Sequence, residues 1–262
     1  MIVVGERING MFKDIRRAIR KKDKGPVQEM ALRQLEAGAD YLDINVGPAS
    51  ADKAGTMVWL VETVREVTDA PLAIDSPNLE AMRAGLEACK GSEVMINSTT
   101  GKQEDLEAYM PLAQEYDASI VGLTMDESGI PGDVNGRTEI ALKILASAME
   151  HGIPTDKLFI DPVILPVNAD QMQPANVMKA IGEFKLLSDP PPHIIVGLSN
   201  ISQGTKQRPL INRTYLVMCM AHGLDAAILD PLDRELMDAM ITAELLLNKF
   251  IYCDSFLEAY RR

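Results

Sequence analysis

The sequence predicts a single closed (β/α)8 barrel, a TIM barrel, spanning residues 1–262. Three observations point to it. Eight short apolar runs alternate with stretches of helical periodicity, which implies a parallel sheet covered by helices. No break in composition and no linker divides the chain. The length of 262 residues suits one barrel of eight such units. An open Rossmann-type sheet is the alternative, but no G-x-G-x-x-G follows the first strand and no Walker A lysine loop occurs.

The first strand is Ile2–Gly5, running into Glu6-Arg7-Ile8-Asn9-Gly10. A helical pattern follows from Met11 to Lys22, and Pro26 opens another that runs to Gly38. The second strand, Tyr41–Val46, breaks at Gly47-Pro48, and a helix is expected over Asp52–Val67. The third, Leu72–Ile74, ends in Asp75-Ser76-Pro77, after which Asn78 is placed to cap a helix with Ala81 at the third position. The fourth, Val94–Ile96, ends in Asn97-Ser98-Thr99 before a helix over Gln103–Tyr116. The fifth, Ser119–Leu123, leads through a Gly-, Pro- and Asp-rich loop to a helix over Thr138–His151. The sixth, Leu158–Ile160, ends in Asp161-Pro162, and its helix, Ala175–Leu187, is stopped by Pro190-Pro191-Pro192. The seventh, Ile194–Val196, breaks at Gly197 into Leu198-Ser199-Asn200, and a helix spans Ile211–Ala221. The eighth, Ala226–Leu229, ends in Asp230-Pro231, with a helix from Asp233 to Phe250 and an amphipathic tail from Ile251 to Arg262.

Composition narrows the function. The formal charge of −12 disfavours nucleic acid and anionic membrane surfaces as partners. No apolar run approaches the ~20 residues of a membrane span. The opening Met-Ile-Val-Val lacks the basic region of a signal peptide and reads as a strand. Cys89, Cys219 and Cys253 are few, distant and odd in number. They argue against a disulfide framework, a zinc site or an iron–sulfur cluster and make the cytoplasm the simplest compartment.

The active site of such a barrel lies at the carboxyl ends of its strands. Nearly every strand delivers an acceptor or an amide there: Glu6 and Asn9, Asp43 and Asn45, Asp75, Asn97, Thr124, Asp161, Asn200 and Asp230. His151, His193 and His222 fall elsewhere, which speaks against a histidine-based triad or metal site. Carboxylates accept paired hydrogen bonds from a flat group with adjacent N–H donors, and asparagine adds a donor and an acceptor. A pterin presents that edge. A divalent metal is the competing ligand for clustered carboxylates.

Each residue also has a structural reading. Asp75 and Asp161 precede prolines and could cap turns. Asn97 could cap the next helix, and Asn200 could satisfy its own loop. Glu6 and Arg7 could pair at the barrel mouth. Asp230 is best read as structural, because Asp230-Pro231 opens a helix. Lys206, Arg208 and Arg213 form a local basic cluster suited to an anionic tail, or to surface solvation and helix docking.

Gly5-Glu6-Arg7-Ile8-Asn9-Gly10, Leu42-Asp43-Ile44-Asn45-Val46-Gly47, Ile74-Asp75-Ser76, Met95-Ile96-Asn97-Ser98, Ile160-Asp161-Pro162, Gly197-Leu198-Ser199-Asn200 and Arg208-Pro209-Leu210-Ile211-Asn212-Arg213 together resemble the pterin-binding methyltransferases. The resemblance covers essentially the whole chain. It is nearest to the methyltetrahydrofolate:corrinoid/iron–sulfur protein methyltransferases and similar to the folate domain of cobalamin-dependent methionine synthase. It implies a homodimer in which Asp75, Asn97 and Asp161 hold the pterin ring. Gly197, Ser199 and Gln203 would lie beside the ring, and Asn200 would reach N5. Lys206 and Arg208 would face the folate tail. The substrate implied is methyltetrahydrofolate, and the acceptor a Co(I) corrinoid on a separate corrinoid/iron–sulfur protein of the acetyl-CoA pathway, since the chain has no D-x-H-x-x-G motif of its own. Dihydropteroate synthase shares the barrel and the pterin site. It usually carries a lysine in the strand-seven loop and a Ser-Arg pair on that segment, where this chain reads Leu198-Ser199-Asn200-Ile201-Ser202. A folate-binding module without chemistry and a metal-dependent lyase or aldolase are the remaining readings.

Overall fold

The structure, a computed structural model, describes residues 1–252. Most of the expected tail, from Cys253 on, lies outside the described residues. The strands are β1 (Ile2–Asn9), β2 (Tyr41–Asn45), β3 (Leu72–Asp75), β4 (Val94–Thr100), β5 (Ser119–Leu123), β6 (Leu158–Asp161), β7 (His193–Gly197) and β8 (Ala226–Leu229). All pair in parallel and in chain order, and β8 closes on β1. The helices are α1 (Lys13–Lys21), α2 (Lys24–Glu36), α3 (Lys53–Arg65), α4 (Leu79–Ala88), α5 (Gln103–Glu115), α6 (Val134–Glu150), α7 (Gln173–Phe184), α8 (Arg208–Ala221) and α9 (Arg234–Leu246).

Alternation along the strands builds two cores. One face of each strand packs against the helices through residues such as Leu42, Ile44, Leu72, Ile74, Ile160 and Val196. The other face fills the barrel with one buried residue per strand: Val4, Tyr41, Ala73, Met95, Val121, Phe159, Ile195 and Ala226. Ala73 and Ala226 leave the room that Tyr41 and Phe159 take. This plug forms the floor beneath the carboxyl ends of the strands.

Several element ends differ from expectation for local reasons. β1 and β4 each run four residues further, across a shift in register, at Gly5/Ile8 and Asn97/Thr99. The segments read as exit loops therefore remain in the sheet. α6 starts at Val134 rather than Thr138 because Asp133 caps it, accepting from the Gly136 N–H at 2.9 Å. α7 and α8 start earlier than expected, with prolines in their first turns where a missing N–H costs nothing. α9 stops at Leu246, short of Phe250. Asn78 does cap α4, accepting from the Ala81 N–H at 2.8 Å.

The ends of β1 and β2 touch so closely that glycine is required. The Gly10 N–H donates to the Asn45 carbonyl at 2.9 Å. A Cβ on Gly10 would lie 2.0 Å from the Val46 carbonyl oxygen. Backbone cannot yield as a side chain does. Gly10→Ala is expected to destabilise the protein by about 3 kcal/mol, the upper end of the overpacking range, measured as a lower urea midpoint at unchanged slope.

Candidate active site

Two residues beyond the apolar plug, on the same inward face, five of the eight strands turn polar. The next inward positions are Glu6, Asp43, Asp75, Asn97, Leu123, Asp161, Gly197 and Ile228. Four of the eight are carboxylic acids. Asn9, Asn45, Asp75 and Asn97 are successive partners in register across β1–β4. The sheet thus brings four of the six predicted residues of its first half into one row.

The row is tied by side-chain hydrogen bonds. Asn97 Nδ2 donates to Asp43 Oδ1 at 2.9 Å, and both residues are buried. Asn45 donates its amide N–H to Asp75, while its Oδ1 accepts from the Gly47 N–H at 2.6 Å. Neither Asp75 nor Asn97 caps a helix: α4 is capped by Asn78, and α5 begins after Lys102. The Asn97 backbone carbonyl accepts from the Ser76 N–H at 3.2 Å, while its side-chain oxygen has no hydrogen-bond partner among the described residues. A cleft of about 280 Å³ opens beside Asp75 and Asn97, walled by Ser98, Thr100, Tyr109 and Leu123. Asn9 instead bends its own loop, accepting from the Met11 N–H at 2.9 Å.

Across the mouth, Asp161 accepts from the Val163 N–H at 2.7 Å and from the Gly197 N–H. Its turn-capping and site readings are compatible, since a carboxylate can accept about four hydrogen bonds. Thr124 is structural: its N–H and hydroxyl both donate to the Asp161 carbonyl, at 2.9 and 3.1 Å. Asp230 is structural too, accepting from the Leu232 N–H and from Arg7 at 3.0 and 3.1 Å. Arg7 therefore turns away from Glu6, and the structural reading of that pair does not hold. It binds Asp230 and Asp14 and stacks on Phe12.

Glu6 instead accepts a hydrogen bond from Ser199 Oγ at 2.7 Å. This anchors the strand-seven exit, a single 3-10 turn over Leu198–Asn200. Arg208 clasps the same turn, donating through Nη2 to the Ser199 carbonyl and through Nε to Ser202 Oγ, each at 3.1 Å. That guanidinium is largely spent on the loop, and Arg213 pairs with Glu235. Lys206 and Gln203 remain exposed. Asn200 is exposed at the tip, and its side-chain amide has no hydrogen-bond partner among the described residues. It lies over Gly197, where a Cβ would approach its Nδ2 to 3.0 Å.

Burial sets the electrostatics. It raises Asp161 to about 7 and Asp75 to about 6. Asp43 is pushed well above the usual carboxylate range by burial and then by the charge of Asp75. Burial also raises Glu6, against the hydrogen bond from Ser199. Acids held this way ionise readily once a ligand supplies N–H donors. Among the described residues no three His, Cys, Asp or Glu side chains are arranged to hold a metal ion.

Arg137 was not singled out from the sequence. It is buried in α6, donating to the Pro162 carbonyl and to Gln173, both at 2.7 Å, and so it fixes the corner after Asp161. The signal was present: an arginine at the head of the otherwise apolar stripe Ile140, Ala141 and Ile144.

The mouth of this parallel barrel carries carboxylates and amides on five of its eight strands, an acceptor-rich surface without histidine. Residues 11–230 match the family described as pterin binding enzyme, and the chain belongs to that family. It is 31% identical over its full length to the methylcorrinoid:tetrahydrofolate methyltransferase of Eubacterium limosum, covering 97% of that protein. It is 29% identical over 87% of its length to the methionine synthase of Mycobacterium tuberculosis, matching 20% of that much longer chain. Among solved structures, dihydropteroate synthase from Yersinia pestis superposes with a TM-score of 0.69 at 17% identity, covering 94% of this chain and 93% of that one. The enzyme from Coxiella burnetii with pteroic acid gives 0.72 at 14% identity, covering 95% and 94%. These structural likenesses concern the fold.

Proposed function

We propose that the protein is a methyltransferase moving a methyl group between N5 of tetrahydrofolate and the cobalt of a corrinoid carried by a separate protein. The observation that carries this reading is Asn200, an unpaired amide held over Gly197 beside a mouth suited to a pterin. Full-length identity to a methylcorrinoid:tetrahydrofolate methyltransferase supports it. The partner we propose is a corrinoid/iron–sulfur protein of the acetyl-CoA pathway. One transition state serves both directions of transfer, so the same residues act whichever side donates.

Asp75, Asn97 and Asp161 would hold the pyrimidine edge and fix N5 toward the open mouth. The corrinoid supplies the two-electron cobalt nucleophile, or receives it back in reverse. As the N5–methyl bond breaks, its electron pair stays on nitrogen. The Asn200 amide N–H donates to that growing charge, and a solvent proton completes the neutral amine. Because this bond strengthens toward the transition state, it lowers the barrier rather than only tightening binding.

The test is anaerobic stopped-flow mixing of the protein, methyltetrahydrofolate and a Co(I) corrinoid/iron–sulfur protein. Protein-dependent loss of the Co(I) spectrum is expected. No conversion with folate binding retained would turn the reading to a folate-binding module or a synthase.

Binding should also depend on pH in a defined sense. Asp75 and Asp161 sit at about 6 and about 7, so below pH 6 the empty mouth is largely protonated. A ligand whose N–H groups need carboxylate acceptors must displace those protons. Affinity for methyltetrahydrofolate is expected to rise between pH 5 and 7.5, with about one proton released near pH 6.5. Calorimetry in two buffers of different ionisation enthalpy measures that release. A buffer-independent heat would contradict it.

A further inference from the structure

We infer that α1 is the docking element for the corrinoid-bearing partner, and that it receives an acidic surface of that partner. The inference rests on the methyltransferase reading. Eight strands need eight covering helices, and α2 fills the first place, packing along β1 and β2. α1 is extra. It packs on the turn over Gly47–Ala49 that follows β2, at the end of the barrel where the Asn–Asp row opens. Arg16 pins its approach, donating to the carbonyls of Gly10 and Met11 at 2.8 and 2.6 Å. The helix is thus fixed beside the mouth that a protein-borne corrinoid must cover.

Its charge is opposite to that of the molecule. Residues 13–24 hold seven Lys or Arg and two Asp, a net of +5 in a chain of −12, which leaves −17 on the remainder. Arg16 is used by the loop, Lys22 lies over Trp59, and Lys24 pairs with Glu66. Lys13, Arg17, Arg20 and Lys21 are exposed, and make no ion pair or hydrogen bond among the described residues. Lys13, Arg17 and Lys21 recur every four residues, so they share one stripe. A groove of about 400 Å³ runs beside the stripe, with Asp14 and Asp23 also in its wall.

A solvated helix gains nothing from this pattern. Like charges four apart are unfavourable, and Lys13 sits in the first turn, where the helix dipole disfavours a cation. Arg20 and Lys21, in the last turn, are the only two the dipole favours. A patch of one sign on a body of the other forms a strong charge dipole. Such a dipole orients an acidic partner onto one face and repels it from every other. A nucleic acid or an anionic membrane is larger than the patch and would meet the −17 remainder, so a protein surface is the better match.

The experiment compares wild type with the quadruple variant Lys13→Gln, Arg17→Gln, Arg20→Gln, Lys21→Gln. Methyl transfer from methyltetrahydrofolate is followed to free cob(I)alamin and to a purified corrinoid/iron–sulfur protein, at 20 and 200 mM salt, values chosen so that the Debye length falls from about 20 to about 7 Å. With the protein acceptor, the variant is expected to lose about tenfold in kcat/KM at low salt and most of its salt dependence. With free cob(I)alamin the two should be equal. The single variant Arg17→Lys should keep the wild-type rate, and Arg17→Glu should lose more than Arg17→Gln. Equal rates of wild type and quadruple variant with the protein acceptor would overturn the inference alone. No wild-type turnover of either acceptor would remove the methyltransferase reading, and the inference with it. A defect that appears only with pentaglutamyl folate would assign the patch to the folate tail. Tight wild-type binding to heparin or phosphatidylserine vesicles, lost in the variant, would assign it to another polyanion. Either result overturns the proposal.

Discussion

Replacing Asn200 by alanine is expected to slow methyl transfer by about 10²–10³, the effect of removing one donor aimed at developing charge. The dissociation constant for methyltetrahydrofolate should change by about fivefold or less, the share of one neutral hydrogen bond. The separation follows from where the residue stands. Asn200 is exposed on its turn, outside the buried row that would hold the ring. Glu6–Ser199 and Arg208–Ser199 hold the turn without using the Asn200 side chain, so truncation leaves the scaffold standing. Single-turnover rates and equilibrium binding on the same variant separate the two quantities. Equal losses in rate and affinity would make Asn200 a binding residue only.

Asp75→Asn is expected to weaken methyltetrahydrofolate binding by about 10- to 100-fold, the worth of hydrogen bonds to a charged acceptor, while making the empty protein more stable at pH 8. The second half is a linkage statement. The folded-state value of about 6 lies above the ordinary 3.8, so the native state favours the neutral acid. The stability this contributes is full below about pH 4 and is lost as pH rises through 6. At pH 8 the native protein carries an ionised Asp75 beside Asp43, whose own raised value reflects that charge. An amide still accepts the hydrogen bond from Asn45 and removes the charge. The gain in melting temperature over wild type should therefore be present at pH 8 and vanish near pH 4. A variant less stable at both pH values would show that the carboxylate supports the fold rather than the ligand. Stability surrendered at a binding site is a common pattern.

The sequence by itself determined the barrel, because parallel strands buried on both faces leave short β-branched runs and their helices leave a different period. It also located most of the mouth. Asp43, Asp75 and Asn97 interrupt apolar strands where no helix uses them as a cap, and Asp161 does so while also capping the turn after β6. The family followed from those positions taken together. What only the tertiary structure decided is who pairs with whom. Glu6 next to Arg7 looks like an ion pair, yet strand alternation sends Glu6 inward to Ser199 and lets Arg7 reach Asp230 across β8. Arg208 belongs by sequence to a basic cluster, but the turn before α8 folds back and spends it on its own backbone. The basic run of α1 was not singled out from the sequence, although seven Lys or Arg fall within residues 13–24, and its place at the mouth came only with the fold. Periodicity reports which face a residue occupies. The register between strands far apart in sequence reports its neighbours, and that register is fixed only when the barrel closes.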